Sequence, residues 1–267
     1  MNVSGPGSLA AVWNGSAWRA QSTPNPAKTA ATDMRSVSCA TARFCESAGS
    51  FDLAQGNTPH ALAEGWNGST WRLQSAAAPP GATSNMLSAV SCVSASFCEV
   101  VGSGPSGESA AVWNGSSWTA QPTPGGVGED LTAVTCLTAT SCEAVGELVN
   151  QGNPLTLAEV WNGSTWTVQP TPNPSGFQTS TLSSVSCTSA DACTAVGDSQ
   201  ANRQTPFRTL AEIWNGSAWT LQPTPNRSAT VPNLLNGVSC GASQTCTAVG
   251  QTQNAAGVAA TLILAGD

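Results

Sequence analysis

Ten cysteines fall into five pairs of one spacing, C-x5-C, at positions 39/45, 92/98, 136/142, 187/193 and 240/246. Paired cysteines can hold zinc or form disulfides. Zinc needs four ligands at one site, usually from pairs two to four residues apart. Each pair here is isolated in its own repeat, and the chain has one histidine. Disulfides Cys39-Cys45, Cys92-Cys98, Cys136-Cys142, Cys187-Cys193 and Cys240-Cys246 are therefore expected, with no metal and no cofactor. Each clip of this size contributes about 2 kcal/mol by restricting the unfolded chain, and five of them imply an oxidising, extracytoplasmic setting.

The remaining candidates are few. Asp33 and Asp130 precede the first strand of two repeats and could share acid and base work in a glycosidase, although an aspartate at a strand entry also serves as a turn residue. Asn25, Asn173 and Asn226 recur after Thr-Pro and could hydrogen-bond a sugar or shape a turn. Arg203, Arg208 and Arg227 could receive a carboxylate or sulfate, or lie in a solvated loop. His60 has no matched nucleophile and is expected in an exposed loop. Glu64, Glu159 and Glu212 share one repeat position that Ala11 and Ala111 fill elsewhere, so a ligand site built on that glutamate would exist in three repeats only. With no tyrosine, no phosphate-binding glycine loop and no G-x-S-x-G elbow, an enzyme is not expected.

The elements that position these residues repeat. W-N-G-S-x-W begins at Trp13, Trp66, Trp113, Trp161 and Trp214, in steps of 53, 47, 48 and 53 residues. Every tryptophan belongs to this string, and Gln21, Gln74, Gln121, Gln169 and Gln222 follow it at one spacing. Five-fold identical placement points to packing between repeats more than to sugar stacking. Each C-x5-C is followed by a glycine, at 49, 102, 146, 197 and 250. One repeat reads as four short strands a to d of five to seven residues: a into b through the cysteine link, then c into d through Asn-Gly, whose type I′ turn takes positive φ at both central residues. If that turn has two residues, Glu212 faces Trp219; if the loop has four, Trp214 does.

Four short strands in about 50 residues, without helical periodicity, predict a propeller blade. The expected fold is an all-β, five-bladed β-propeller with four antiparallel strands per blade. It forms one domain over 1–267, in repeats of about 9–34, 35–86, 87–130, 131–181, 182–234 and 235–267. An N-terminal hairpin completing the last blade would close the ring; Val258 to Ala265, which looks like a further c strand, is then left over. The b–c and d–a loops vary between repeats, which marks their face as the binding face.

Composition excludes other classes. Net charge is −7 with one lysine and seven arginines, too little positive charge for a nucleic-acid stripe. The longest apolar run, Val258 to Ala265, is far shorter than a membrane span. Residues 1–14 lack the basic and apolar regions of a secretory signal, so the chain reads as a mature or excised segment of an extracellular protein.

The combination of "LSSVSCTSADACTAVG" and "LAEIWNGSAWTLQPTPN" resembles repeats of secreted proteins of actinobacteria and related bacteria, over nearly the whole chain. That resemblance implies architecture and carries no activity. The five-fold count is also similar to tachylectin-type lectins, which bind amino sugars between blades, by architecture alone; no lectin residue maps onto this chain. The expected function is a secreted, non-catalytic module recognising a glycan or cell-wall polysaccharide. The alternatives are a scaffold that binds extracellular protein or self-associates through the C-terminal strand, and a glycosidase or lyase using Asp33 and Asp130.

Overall fold

The computed structural model describes residues 7–54, 58–76, 85–104, 107–150, 152–242, 245–254 and 258–266. The chain divides into two compact units, Met1–Pro122 and Thr123–Asp267.

In the first unit, β1 (Ala10–Trp13) and β2 (Trp18–Gln21) form a hairpin by themselves. One blade follows as β3 (Thr29–Thr41), β4 (Phe44–Leu53), β5 (Pro59–Trp66) and β6 (Trp71–Gln74), and a second as β7 (Met86–Ser94), β8 (Phe97–Gly104), β9 (Gly107–Trp113) and β10 (Trp118–Gln121). The second unit holds β11 (Glu129–Thr138), β12 (Ser141–Asn150), β13 (Asn153–Trp161) and β14 (Trp166–Gln169), then β15 (Thr179–Ser189), β16 (Ala192–Gln200), β17 (Arg208–Trp214) and β18 (Trp219–Gln222). It ends with three strands, β19 (Asn233–Cys240), β20 (Cys246–Gln253) and β21 (Ala259–Gly266). Each complete sheet is an up-and-down antiparallel meander in the expected order a-b-c-d.

The sheets depart from the expectation in three ways. Their strands run from 4 to 13 residues, because a and b pair well beyond the cysteines. The described residues form six sheets and not five complete blades. The last blade lacks a d strand among the described residues: β21, the surplus strand of the sequence, pairs with β20 as an ordinary c strand, and β1 and β2 pair only with each other.

All five disulfides are formed, each joining residues directly opposite in the a–b ladder, as with Cys187↔Cys193. Further along strand b, the repeat glycine meets a register shift in strand a. A Cβ at Gly49, Gly102, Gly146, Gly197 or Gly250 would lie 1.9–2.1 Å from a backbone carbonyl oxygen of that strand, so only glycine permits the approach.

The c–d turn takes the four-residue form, with Trp214 opposite Trp219 and the same pairing in the other hairpins. The asparagine Oδ1 accepts two backbone N–H groups inside the turn, as Asn215 does from Ser217 and Ala218 at 3.0 Å each. That side chain replaces the second positive φ of a type I′ turn, and in these turns only Gly15, Gly68, Gly115, Gly163 and Gly216 sit in the left-handed region.

Within each unit, apolar faces of successive blades meet. Leu182, Val185, Ala195, Leu210 and Trp219 of one blade close on Val145 and Ala158 of the blade before it. Strands covered on both faces need no polar alternation, which accounts for segments such as Ala144-Val145-Gly146.

Candidate functional site

Three inter-sheet steps share a hydrogen-bond relay. The indole N–H of the d-strand tryptophan donates to the glutamine ending the preceding d strand: Trp71 to Gln21 at 2.8 Å, Trp118 to Gln74 at 2.6 Å, Trp219 to Gln169 at 2.6 Å. Gln74 in turn donates from Nε2 to Glu46 Oε1 at 3.0 Å. The two tryptophans of each hairpin pack ring against ring, with centroids 5.7–5.9 Å apart. The tryptophans of the complete blades thus serve packing, as their repetition predicts.

Six glutamates are more deeply placed than their sequence pattern suggests. Glu46, Glu99 and Glu143 on strands b, and Glu64, Glu159 and Glu212 on strands c, are all buried. Burial pushes Glu46 and Glu64 up to about 7, against hydrogen bonds from Gln74 and Ser8. It pushes Glu99 and Glu143 to about 9 and Glu212 to about 8. A signal for the strand-b set was present, since glutamate follows the second cysteine in three repeats. Their burial depended on which face of each blade a neighbour covers.

One of these carboxyls opens on a cleft. Between the β1–β2 hairpin and the β3–β6 blade lies a cavity of about 220 Å³, lined among others by Thr23, Arg35, Ser36, Ser47, Glu64 and Trp71. Ser47 stands opposite Glu64 in the β4–β5 ladder, which puts both on the face turned to the hairpin. Ser8 Oγ lies 3.3 Å from Glu64 Oε1. Arg35 Nε is paired with Asp33 at 2.9 Å, so its terminal N–H groups remain for other acceptors. Trp71 spends its N–H on Gln21, and the wall it gives the cleft is ring. A carboxyl, hydroxyls, a guanidinium and an indole in one concavity can bind a small polyol.

The predicted site residues scatter. Asn25, Asn173 and Asn226 act alike: Oδ1 accepts the backbone N–H of Ser8, Thr156 or Thr209 at 3.1, 3.2 and 3.0 Å, clipping the chain after strand d to the start of strand c. Asn25 reaches the cleft only through Ser8, while Asn226 borders a wide, open depression of about 520 Å³ with Phe177 and Arg208. Asp33 and Asp130 lie within β3 and β11 and do not precede them. Asp33 is exposed and ion-paired. Asp130 faces Glu147 across the a–b ladder; burial and the Asp130 charge raise Glu147, and burial and the Glu147 charge raise Asp198 to about 6. Arg208 is bound to the carbonyls of Ser228 and Ala229. The His60 ring is half-buried against Phe51, 5.3 Å between centroids.

No protein-family model matches the sequence, and no curated protein sequence matches it. Among solved structures, that of YCF48 bound to D1 peptide is similar at 14% identity and TM-score 0.54, covering 93% of this chain and 70% of that one. A fungal lectin, Aleuria aurantia lectin, is described as a six-bladed β-propeller with a novel fucose recognition mode; it matches at 14% identity and TM-score 0.53, over 87% of this chain and 75% of that one. A variant of that lectin in complex with Fucα1-6GlcNAc matches at 12% identity and TM-score 0.52, with the same coverage. At such identities likeness carries the fold and nothing finer: this chain has the β-propeller fold.

Proposed function

We propose that this chain is a secreted, non-catalytic binding module that recognises a glycan, with the cleft between the β1–β2 hairpin and the β3–β6 blade as its saccharide seat. The observation that carries the reading is the joint presence of Glu64, Ser36, Ser47, Arg35 and the Trp71 ring around about 220 Å³. A saccharide offers vicinal hydroxyls that a carboxylate accepts in pairs, ether oxygens that a guanidinium donates to, and a C–H face that packs on an indole. Five disulfides support an oxidising extracellular setting. The fucose-recognising lectin among the similar structures supports the ligand class.

The test is co-sedimentation of the oxidised protein with insoluble polysaccharides and bacterial cell walls, followed by elution with soluble sugars. Saturable binding that one sugar releases, and that Glu64→Gln and Arg35→Ala weaken, is the expected result. Absence of binding to every member of the panel at millimolar sugar content refutes the glycan reading.

A further inference from the structure

We propose a second binding site, on residues separate from the cleft: the depression at the start of β17 seats a uronate residue of an acidic polysaccharide. Its volume of about 520 Å³ lies within the range of small-ligand sites, roughly 300–1,000 Å³. The β14–β15 linker supplies Pro174 and Phe177, β17 supplies Arg208 and Leu210, and β18 with the chain after it supplies Leu221 and Asn226. The Pro174 carbonyl accepts the Phe177 N–H at 3.3 Å, a turn that sets the half-buried phenyl ring at the depression. Leu221 is 38% exposed, and Leu73, at the same d-strand position of another blade, is 43% exposed, so this openness belongs to the position.

Arg208 and Phe177 are what this repeat adds to the common pattern. Four residues before the shared glutamate of strand c stand His60 in β5, Leu155 in β13 and Arg208 in β17, and no other d–a linker carries an aromatic residue. Residues that the blade itself does not require are free to serve a ligand. Arg208 donates from Nη1 to the Ser228 carbonyl and from Nη2 to that of Ala229, which leaves the Nε hydrogen and one on each Nη. Carbonyls orient the guanidinium without cancelling its charge. No carboxylate lines the depression, and among the described residues Arg208 has no ion-pair partner. The net charge of −7 elsewhere on the chain is screened beyond about 8 Å at physiological ionic strength. A guanidinium held in this way takes a carboxylate, and the Phe177 ring takes the C–H face of the sugar that carries it. A uronate presents both together, and a neutral hexose presents the second alone.

The probe is a galacturonate trisaccharide, titrated calorimetrically into the full oxidised protein beside its methyl ester, which keeps the rings and removes the charge. Saturable binding of the acid is expected, with the ester at least about tenfold weaker, as loss of a charge-assisted hydrogen bond implies. Arg208→Gln weakens binding of the acid to the level of the ester, and Phe177→Ala weakens it about five-fold. Arg72→Gln, which removes an exposed arginine from β6, leaves it unchanged. Calorimetric melting of each variant checks its fold, since Arg208 also ties down two carbonyls; the ester comparison uses the unaltered protein and needs no variant. Four outcomes overturn the proposal: no saturation up to about millimolar acid, equal binding of the ester, unchanged binding of the acid to Arg208→Gln, or as large a loss in Arg72→Gln. The ligand class is shared with the proposed function, and the ester keeps the two readings apart. Ester bound as well as acid counts against this site alone, whereas failure of every neutral sugar counts against the cleft and leaves the acid titration to decide this one.

Discussion

Glu99→Gln separates the cost of a buried carboxyl from that of its packing. Glu99 is fully buried on β8, and burial holds its proton up to about pH 9. In the unfolded chain the same group ionises near 4.5. Between those values the folded protein binds a proton that the unfolded chain releases, so rising pH favours unfolding. The contribution is undiminished below about 4.5 and is lost progressively up to about 9, at a limiting slope of about 1.4 kcal/mol per pH unit. From about pH 5 to about pH 8 that amounts to about 3 to 4 kcal/mol. Glutamine keeps the shape but does not titrate. Scanning calorimetry of both proteins across that range should give melting temperatures that nearly coincide at the acid end. They should diverge towards alkaline pH, the variant higher by about 6–15 °C for a chain of this size. The other buried glutamates lower both curves together and drop out of the difference. Parallel curves, or a variant less stable at pH 8, would refute the reasoning.

Gly197→Ala, which forces a Cβ to 2.0 Å from the Thr181 carbonyl oxygen, should cost at least about 2 kcal/mol in a denaturant titration; an unchanged midpoint would show that the strand-a bulge yields freely. Trp219→Phe keeps a ring but removes the bond to Gln169, and a loss of about 1–2 kcal/mol is expected by the same assay. Replacing Cys92 and Cys98 together by alanine should lower stability by about 2 kcal/mol, read against the oxidised parent; no change would mean that the clip adds nothing to a hairpin already paired on both sides. Because Glu64 loses its proton only near pH 7, sugar binding in its cleft should strengthen as pH rises through that value, and Glu64→Gln should flatten the profile; a pH-independent parent would remove the carboxylate from the site.

The repeat by itself determined the blades, the disulfides and the order of strands. Identical spacing of Trp, Cys, Gly and Asn-Gly specifies local geometry, and local geometry specifies each hairpin. The length of the c–d loop was not decided there, because Asn-Gly suits a two-residue turn equally; the Asn215 carbonyl capturing two N–H groups selects the longer form. The shared spacing of Asn25, Asn173 and Asn226 was visible, but not that each amide oxygen is occupied by a backbone N–H seventeen residues upstream, in strand c or just before it. Glu64 was visible as a repeat position, and only packing shows that one side of its blade opens on a cleft while the matching Glu159 and Glu212 are sealed. Equal residues in a repeat acquire unequal roles from their neighbours, since burial, proton affinity and an unmet hydrogen bond are properties of the contact and not of the residue.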